Sequence, residues 1–254
     1  MIKVGVLGAV GRMGSTVCDA VGADPEMEVV ARVDPAGGDG NFTSVDEMPD
    51  VDVVVDFTQP ASVKANVKAC VARGIHCVVG TSGLSPDDFA EIEALVKDGK
   101  ANVFVAPNFS IGAVLMMHLA KQAARHMGSA EIIEAHHTQK LDAPSGTARK
   151  TAQDIAEVWK THGRPPGGEA HPDEEETVPG ARGANVDGIH VHGVRVLGRL
   201  AHQEVVFGGP GENLTIRHDT MERTSFMPGV LLAVKEVGKR PGLTVGLEHL
   251  LGLD

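Results

Sequence analysis

The sequence has few cysteines, a deficit of positive charge and no long apolar run. Its three cysteines, Cys18, Cys70 and Cys77, are an odd number without metal-type spacing, and each sits in an apolar stretch. That pattern speaks against a disulfide framework and leaves buried free thiols of a reducing compartment. Lysine and arginine number 23 against 34 acidic residues, a net charge of −11, which disfavours non-specific binding to nucleic acid or to an anionic membrane. An anionic ligand must therefore meet a local basic site. No apolar stretch approaches the roughly 20 residues that span a bilayer. Met1-Ile2-Lys3-Val4 leads into a strand and not into a cleavable signal. The expectation is a soluble cytoplasmic protein with no nucleic-acid or membrane partner. What is present, 254 residues with 42% hydrophobic content and 31 glycines, suffices for one large domain or two smaller ones.

Ile2 to Leu7 is a short apolar run ending in Gly8-Ala9-Val10-Gly11-Arg12-Met13-Gly14, and Met13, Val17, Ala20 and Val21 then recur at helical spacing. This is strand, glycine-rich turn, helix. Glycines permit the tight turn and let backbone approach a pyrophosphate, which then lies at the helix N-terminus. The spacing is G-x-x-G-x-x-G where G-x-G-x-x-G is commoner, so its context matters. A second strand, Glu28 to Val33, ends in Asp34, an acid placed to accept hydrogen bonds from the adenosine ribose hydroxyls. Asp34 would repel a 2′-phosphate, and Pro35-Ala36-Gly37-Gly38 offers no base to bind one. NADH is therefore favoured, with Arg12 in the turn leaving NADPH usable.

Gly37 to Pro49 reads as a loop and Val51 to Asp56 as a strand of the kind a parallel sheet buries on both faces, followed by a helix from Ala61 to Ala72. His76 to Val79 runs into Gly80-Thr81-Ser82-Gly83 at a carboxyl end, where an open α/β sheet places its ligand. A helix from Pro86 to about Lys97 and a strand from Asn102 to Val105 lead to Ala106-Pro107-Asn108-Phe109-Ser110, a turn with Ser110 as helix cap. Ile111 to Met127 is a strongly apolar helix.

The densest chemistry lies in His136-His137-Thr138-Gln139-Lys140-Leu141-Asp142-Ala143-Pro144-Ser145-Gly146-Thr147-Ala148. A short strand, Glu131 to Ala135, precedes it, and Ala148, Ala152, Ile155 and Trp159 follow at helical spacing. Free N–H groups of Ser145, Gly146 and Thr147 at the helix start would favour an anion, and Lys140 adds a full positive charge. His136 and His137 face opposite ways on a strand, and one of them could act as a general acid near neutral pH. A plain helix cap beside surface or core histidines is the competing reading.

Thr161 to Gly188 reads as a long loop, with an acidic run from Asp173 to Glu176 as solvated surface. Ile189 to Val196, Ala201 to Phe207 and Asn213 to His218 read as strands without intervening helices, hence an antiparallel or mixed sheet. His190, His192 and His202 lack a carboxylate or cysteine at ligand spacing, so no metal is expected. Ser225 to Val237 is a last helix, and Leu243 to Leu251 returns to the first domain.

Taken whole, the run from Glu131 through His136, His137 and Lys140 to Asp142-Ala-Pro-Ser-Gly-Thr-Ala148 resembles the signature of the dihydrodipicolinate reductase family. Gln139 stands where that family usually has a further histidine, and Ser82 where its Gly-Thr-Thr-Gly-like turn has a second threonine. The resemblance covers essentially the whole chain. It implies an α/β fold: a Rossmann-type parallel-sheet nucleotide domain, residues 1–107 and 218–254, and an inserted α+β domain, 108–217, with a mixed or antiparallel sheet that builds a homotetramer. It implies cofactor contacts from Gly8, Ala9, Val10, Gly11, Arg12, Met13, Asp34, Gly80, Thr81, Ser82, Ala106, Pro107, Asn108 and Phe109. It further implies His136 as acid/base, Lys140 as second proton donor, and His137 with Gly146 and Thr147 as the grip on a small dicarboxylate. The implied reaction is NAD(P)H-dependent reduction of 4-hydroxy-tetrahydrodipicolinate to tetrahydrodipicolinate with loss of water, in the diaminopimelate route to lysine. A different dehydrogenase on the same two-domain plan and a non-catalytic nucleotide sensor are the rivals.

Overall fold

The computed structural model describes residues 1–38, 41–97, 99–164 and 175–253. In chain order its elements are β1 (Ile2–Leu7), α1 (Arg12–Ala23), β2 (Met27–Val33), β3 (Val53–Asp56), α2 (Pro60–Ala72), β4 (His76–Val79), α3 (Pro86–Val96) and β5 (Val103–Val105). Then come α4 (Ile111–Ala124), β6 (Ser129–His136), α5 (Gly146–Thr161), β7 (Ala184–Val186), β8 (Ile189–Arg195), β9 (Ala201–Gly209) and β10 (Glu212–Thr220). α6 (Met227–Glu236), β11 (Leu243–Val245) and α7 (Glu248–Leu251) close the chain. Two compact units result, Met1–Ile111 with Arg223–Asp254, and Gly112–Glu222.

The first unit is built on a wholly parallel six-stranded sheet in the order β11-β5-β4-β3-β1-β2. Parallel strands covered by helices bury both faces, which is why β3 is valine-valine-valine-aspartate with all four residues buried. The strand order turns back on itself at β1, flanked by β2 and β3, and this switch point opens a crevice at the carboxyl ends of the strands. The Gly8 turn and Asp56 both sit at that edge. At the far edge, the returning tail supplies β11 as a sixth strand. Asn102 joins it there: its side chain donates to the carbonyls of Val237 and Gly238 and accepts from the Gly242 N–H.

The second unit holds a five-stranded mixed sheet, β10-β9-β6-β8-β7, in which only the β6–β8 pair is parallel. One face packs on the helices through Ala120, Ile132, Ile155, Trp159, Val205 and Phe207. Trp159 is fully buried and donates its indole N–H to the Met127 carbonyl at 2.9 Å. On the opposite face the side chains of Ile133 and Val194 remain 39% and 40% exposed.

Several sequence expectations change. The stretch from Thr161 to Gly188 is not loop throughout: α5 runs to Thr161, and Ala184–Val186 pairs with β8 as an edge strand. Of its prolines, glycines and acids, Pro165, Pro166, Gly167, Gly168, Glu169, Pro172, Asp173 and Glu174 lie outside the described residues. The expected boundary at 217/218 falls inside β10, whose ladder with β9 continues to Thr220 opposite Ala201 and keeps those residues with the second unit. The helix after Ser110 stops at Ala124, and the helix expected over Ser225 to Val237 begins at Met227 behind a 3₁₀ turn over Arg223–Phe226; a further short helix, α7, follows it.

Candidate active site

In the first unit, Gly11 is the N-cap of α1 and provides no side-chain cap, and no acidic residue lies in the first turn. The N-terminal N–H groups of Arg12 and Met13 are therefore open to an anion without a first-turn carboxylate competing for them. Two glycines make the approach possible. Gly8 has φ +76°, where a Cβ would lie 2.4 Å from the Phe57 carbonyl oxygen, and a Cβ on Gly14 would lie 2.0 Å from the Gly8 carbonyl oxygen. The N–H groups of Gly8 and Ala9 both donate to the Val33 carbonyl, tying the turn to the end of β2. Just beyond, the Asp34 carboxylate accepts from Val10 N–H at 3.2 Å and Ala36 N–H at 3.0 Å, so it is fixed beside the turn. A cavity of about 630 Å³ opens here, lined among others by Gly8, Gly11, Asp34, Pro35, Thr58 and Ser62. An uncapped helix start, glycines whose places no side chain could take, and an oriented acid fit the phosphates and ribose of a dinucleotide.

Other expected cofactor residues have structural commitments. Thr81 is buried; its hydroxyl donates to Asp56 and accepts from the Thr58 N–H at 2.7 Å. A Cβ on Gly80 would meet the Phe57 ring at 2.2 Å. Gly80 and Thr81 thus lock the ends of β3 and β4 together, and Ser82 follows in the loop. Phe109 was expected as a ligand contact, but its ring is buried between Phe57 and Phe104, at centroid distances of 5.8 and 6.1 Å. Ala106 is buried as well, Pro107 is exposed, and Asn108 accepts from the Ser110 N–H at 2.9 Å. The sequence reading missed Asp56, a buried acid that also accepts from Thr58 and Asn66. Its position at the strand's carboxyl end was the available signal.

In the second unit the period of two along β6 puts Ile132, Glu134 and His136 on one face. Glu134 is fully buried. Its Oε2 accepts from His136 Nδ1 at 2.6 Å and Arg195 Nη1 at 2.8 Å, and its Oε1 from Arg195 Nη2 at 2.8 Å and the Ser145 N–H at 3.1 Å. Arg195 lies directly across the parallel β6–β8 ladder from His136 and also donates to the Asp142 carbonyl at 2.7 Å. Burial pushes the Glu134 carboxyl up, but the hydrogen bonds from His136 and Arg195 outweigh it and bring the pKa down to about 2. The same pairing raises Arg195. An ionised carboxylate only accepts, so His136 Nδ1 carries a proton and Nε2 is the nitrogen left for a ligand.

Lys140 bonds Asp142 Oδ1 at 2.7 Å, and that bond lowers the Asp142 carboxyl. His137 lies one residue beyond the end of β6. Ser145 caps α5 by accepting from the Ala148 N–H at 3.1 Å. The expectation of a free Ser145 N–H is corrected: Glu134 holds it. Gly146 and Thr147 open the helix, again with no acid in the first turn, and nothing lies within 4 Å of where a Gly146 Cβ would stand. The sequence reading also missed Glu134 and Arg195. The i, i+2 relation of Glu134 to His136 was visible; Arg195 required the strand register.

The three histidines read as lacking carboxylate partners acquire them across strands or bond the backbone. His192 pairs with Glu131 at 2.7 Å, His202 with Asp219, and His190 with the Arg182 carbonyl at 2.7 Å. Among the described residues no three His, Cys, Asp or Glu side chains converge as metal ligands, and no helix is long and apolar enough to cross a membrane.

Comparison with known proteins agrees with this geometry over the full length. The family described as "Dihydrodipicolinate reductase, N-terminus" matches residues 2–109, and "Dihydrodipicolinate reductase, C-terminus" matches residues 112–251. The chain is 52% identical over 255 residues to the 4-hydroxy-tetrahydrodipicolinate reductase of Cutibacterium acnes, covering 100% of both. It is 50% identical over 256 residues to that of Corynebacterium aurimucosum, covering 99% of both. Among solved structures, a dipicolinate-bound dihydrodipicolinate reductase from Paenisporosarcina sp. TG-14 superimposes with a TM-score of 0.84 at 41% identity, covering 98% of this chain and 99% of that one. A parallel-sheet unit with a glycine-rich turn and a fixed acid, Asp34, beside it, a second unit with an ion-paired histidine near a helix start, and matches across both halves lead to one conclusion: the chain belongs to the dihydrodipicolinate reductase family.

Proposed function

We propose that the chain is an oxidoreductase that reduces 4-hydroxy-tetrahydrodipicolinate to tetrahydrodipicolinate, with loss of water, in the diaminopimelate route to lysine. The observation that carries this reading is the arrangement around Glu134, which brings His136, the Lys140 loop and the start of α5 together. A reduced nicotinamide dinucleotide, when bound, supplies the hydride. Hydride addition to a conjugated imine ring leaves electron density that must be protonated, and His136, with Nδ1 held and Nε2 available, is the acid/base for that transfer. Lys140 is the second proton donor and offsets the substrate's charge. His137 and the Gly146-Thr147 backbone bind the carboxylates, as the dipole of an uncapped-by-acid helix start favours. The test is NADH oxidation by the pure protein supplied with freshly made dihydrodipicolinate synthase product. Rapid oxidation dependent on that product supports the proposal, and NADH binding without oxidation sinks it.

NADH is the preferred cofactor and NADPH a usable one, because Asp34 is fixed by two backbone N–H groups beside the cavity and no base follows it. Gly8 to Met13, the Gly80 turn and the Ala106–Phe109 segment hold the dinucleotide, Thr81 and Phe109 by supporting the backbone around it. Asp34→Ala is expected to weaken NADH binding by roughly 10- to 100-fold, the loss of a charge-assisted hydrogen bond, read as Kd in a fluorescence titration. A much higher kcat/KM with NADPH than with NADH in the unaltered protein would contradict the assignment.

The face of the second sheet carrying Ile133 and Val194 is the proposed contact in a cytoplasmic homotetramer. Sedimentation should then give four copies, and Val194→Asp should reduce that number. A monomer in the unaltered protein would remove this part of the proposal.

A further inference from the structure

We propose that Glu134 is a positioning residue for the reaction, acting with Arg195 to hold His136 in a single tautomer and to fix the Lys140 loop and the start of α5 against it. This rests on the acid/base role given to His136 above. Three observations carry the inference. First, Glu134 is a carboxylate with 0% exposure, an expensive group to bury unless several donors compensate it. Second, its four hydrogen bonds come from the separate parts of the candidate site: the His136 ring, the Ser145 N–H at the helix cap, and twice the Arg195 guanidinium. Third, Arg195 itself reaches the Asp142 carbonyl, and Asp142 holds Lys140 through its side chain. One buried ion pair therefore sets the position of both proposed proton donors and of the carboxylate-binding helix end. Glu134 makes no contact with a substrate in this role; it acts through His136.

The chemistry follows from which atoms can donate. Oε1 faces two donors, Ser145 N–H and Arg195 Nη2, while Oε2 faces Arg195 Nη1 and His136 Nδ1. As long as both positions are oxygens, the proton must reside on Nδ1, and Nε2 is presented either as base or, when protonated, as acid. A partner that fixes the orientation and tautomer of a working imidazole in this way typically contributes one to two orders of magnitude to its function.

Glu134→Gln tests the proposal with nearly unchanged shape. The amide oxygen will occupy the Oε1 position, where two donors demand an acceptor, and the NH₂ will then face His136 Nδ1. The ring must accept there, so its proton moves to Nε2. Nitrogen-15 NMR of the imidazole should show protonated Nδ1 in the unaltered protein and protonated Nε2 in the variant. In steady-state kinetics kcat should fall by about 10- to 100-fold, with KM for the dicarboxylate and Kd for NADH nearly unchanged. Should the single variant fail to fold because the Arg195 guanidinium is left unpaired, Glu134→Gln combined with Arg195→Met removes both charges. That pair is expected to fold, with a mixed tautomer and the same loss of kcat. Wild-type kcat in either folded variant, or retention of the Nδ1 proton in folded Glu134→Gln, overturns the proposal. Absence of turnover in the unaltered protein would instead strike the reductase reading, while the tautomer measurement would still decide whether Glu134 sets the ring.

Discussion

His136→Ala is expected to lower kcat by roughly 10²- to 10⁴-fold, the range for losing a positioned acid/base, while Kd for NADH stays where it is. The structure separates these two effects. His136 belongs to the unit Gly112–Glu222, whereas the glycine-rich turn and Asp34 belong to the other unit. The fold should also survive the change, because Glu134 keeps both Arg195 bonds and the Ser145 N–H after the ring is removed. Paired measurements of kcat and of NADH affinity decide the matter. Unchanged turnover would remove His136 from its role, and loss of both quantities together would point to general unfolding.

Gly14→Ala should produce a comparably large effect by another route. The added Cβ would stand 2.0 Å from the Gly8 carbonyl oxygen, 2.6 Å from its carbon and 2.9 Å from the Ala9 Cα. All three are backbone atoms, so no rotamer change relieves the contact. The turn cannot retreat either, since Gly8 and Ala9 are both bonded to Val33. Either α1 lifts away from β1 or the turn opens, and both displace the helix start from the phosphate position. A stability loss of about 3 kcal/mol is expected, the upper part of the range for overpacking, with NADH binding lost in titration. Gly22→Ala is the control in the same helix: nothing lies within 4 Å of its Cβ position. There the gain in helix propensity should stabilise by up to about 1 kcal/mol. A Gly14 variant with unaltered urea midpoint and NADH affinity would show that the close approach has no such importance.

These contrasts mark what is legible in a sequence. The β1–α1 turn, Asp34 and the Ser145 cap can be read because their causes are local: a strand, a required glycine or a capping side chain lies within a few residues of its effect. Sheet class was legible for the same reason, since a buried parallel strand such as Val53–Asp56 leaves no alternation. Arg195 was not legible. It stands 61 residues from Glu134 in sequence and reaches it only through the β6–β8 register, which no local pattern encodes. The cross-strand bonds of His192 and His202 escaped for that reason too. Thr81 and Phe109 show the converse: residues near a ligand edge whose side chains are turned to the interior by Asp56 and by the Phe57–Phe104 cluster. The strands β7 and β11, with three residues each and no fully buried apolar run such as that of β5, leave no period from which to read them.

The placement of β11 bears on how the chain is made. A ribosome releases residues 112–222, a contiguous unit with its own core, before it releases the strand that completes the nucleotide sheet. At roughly 5–20 residues per second, the emerging nascent chain carries β5 with an open edge and Asn102 without the carbonyls of Val237 and Gly238 and the N–H of Gly242 that its side chain will bond. The half that begins first is thus the half that finishes last, and the asparagine clasp is the step that closes it.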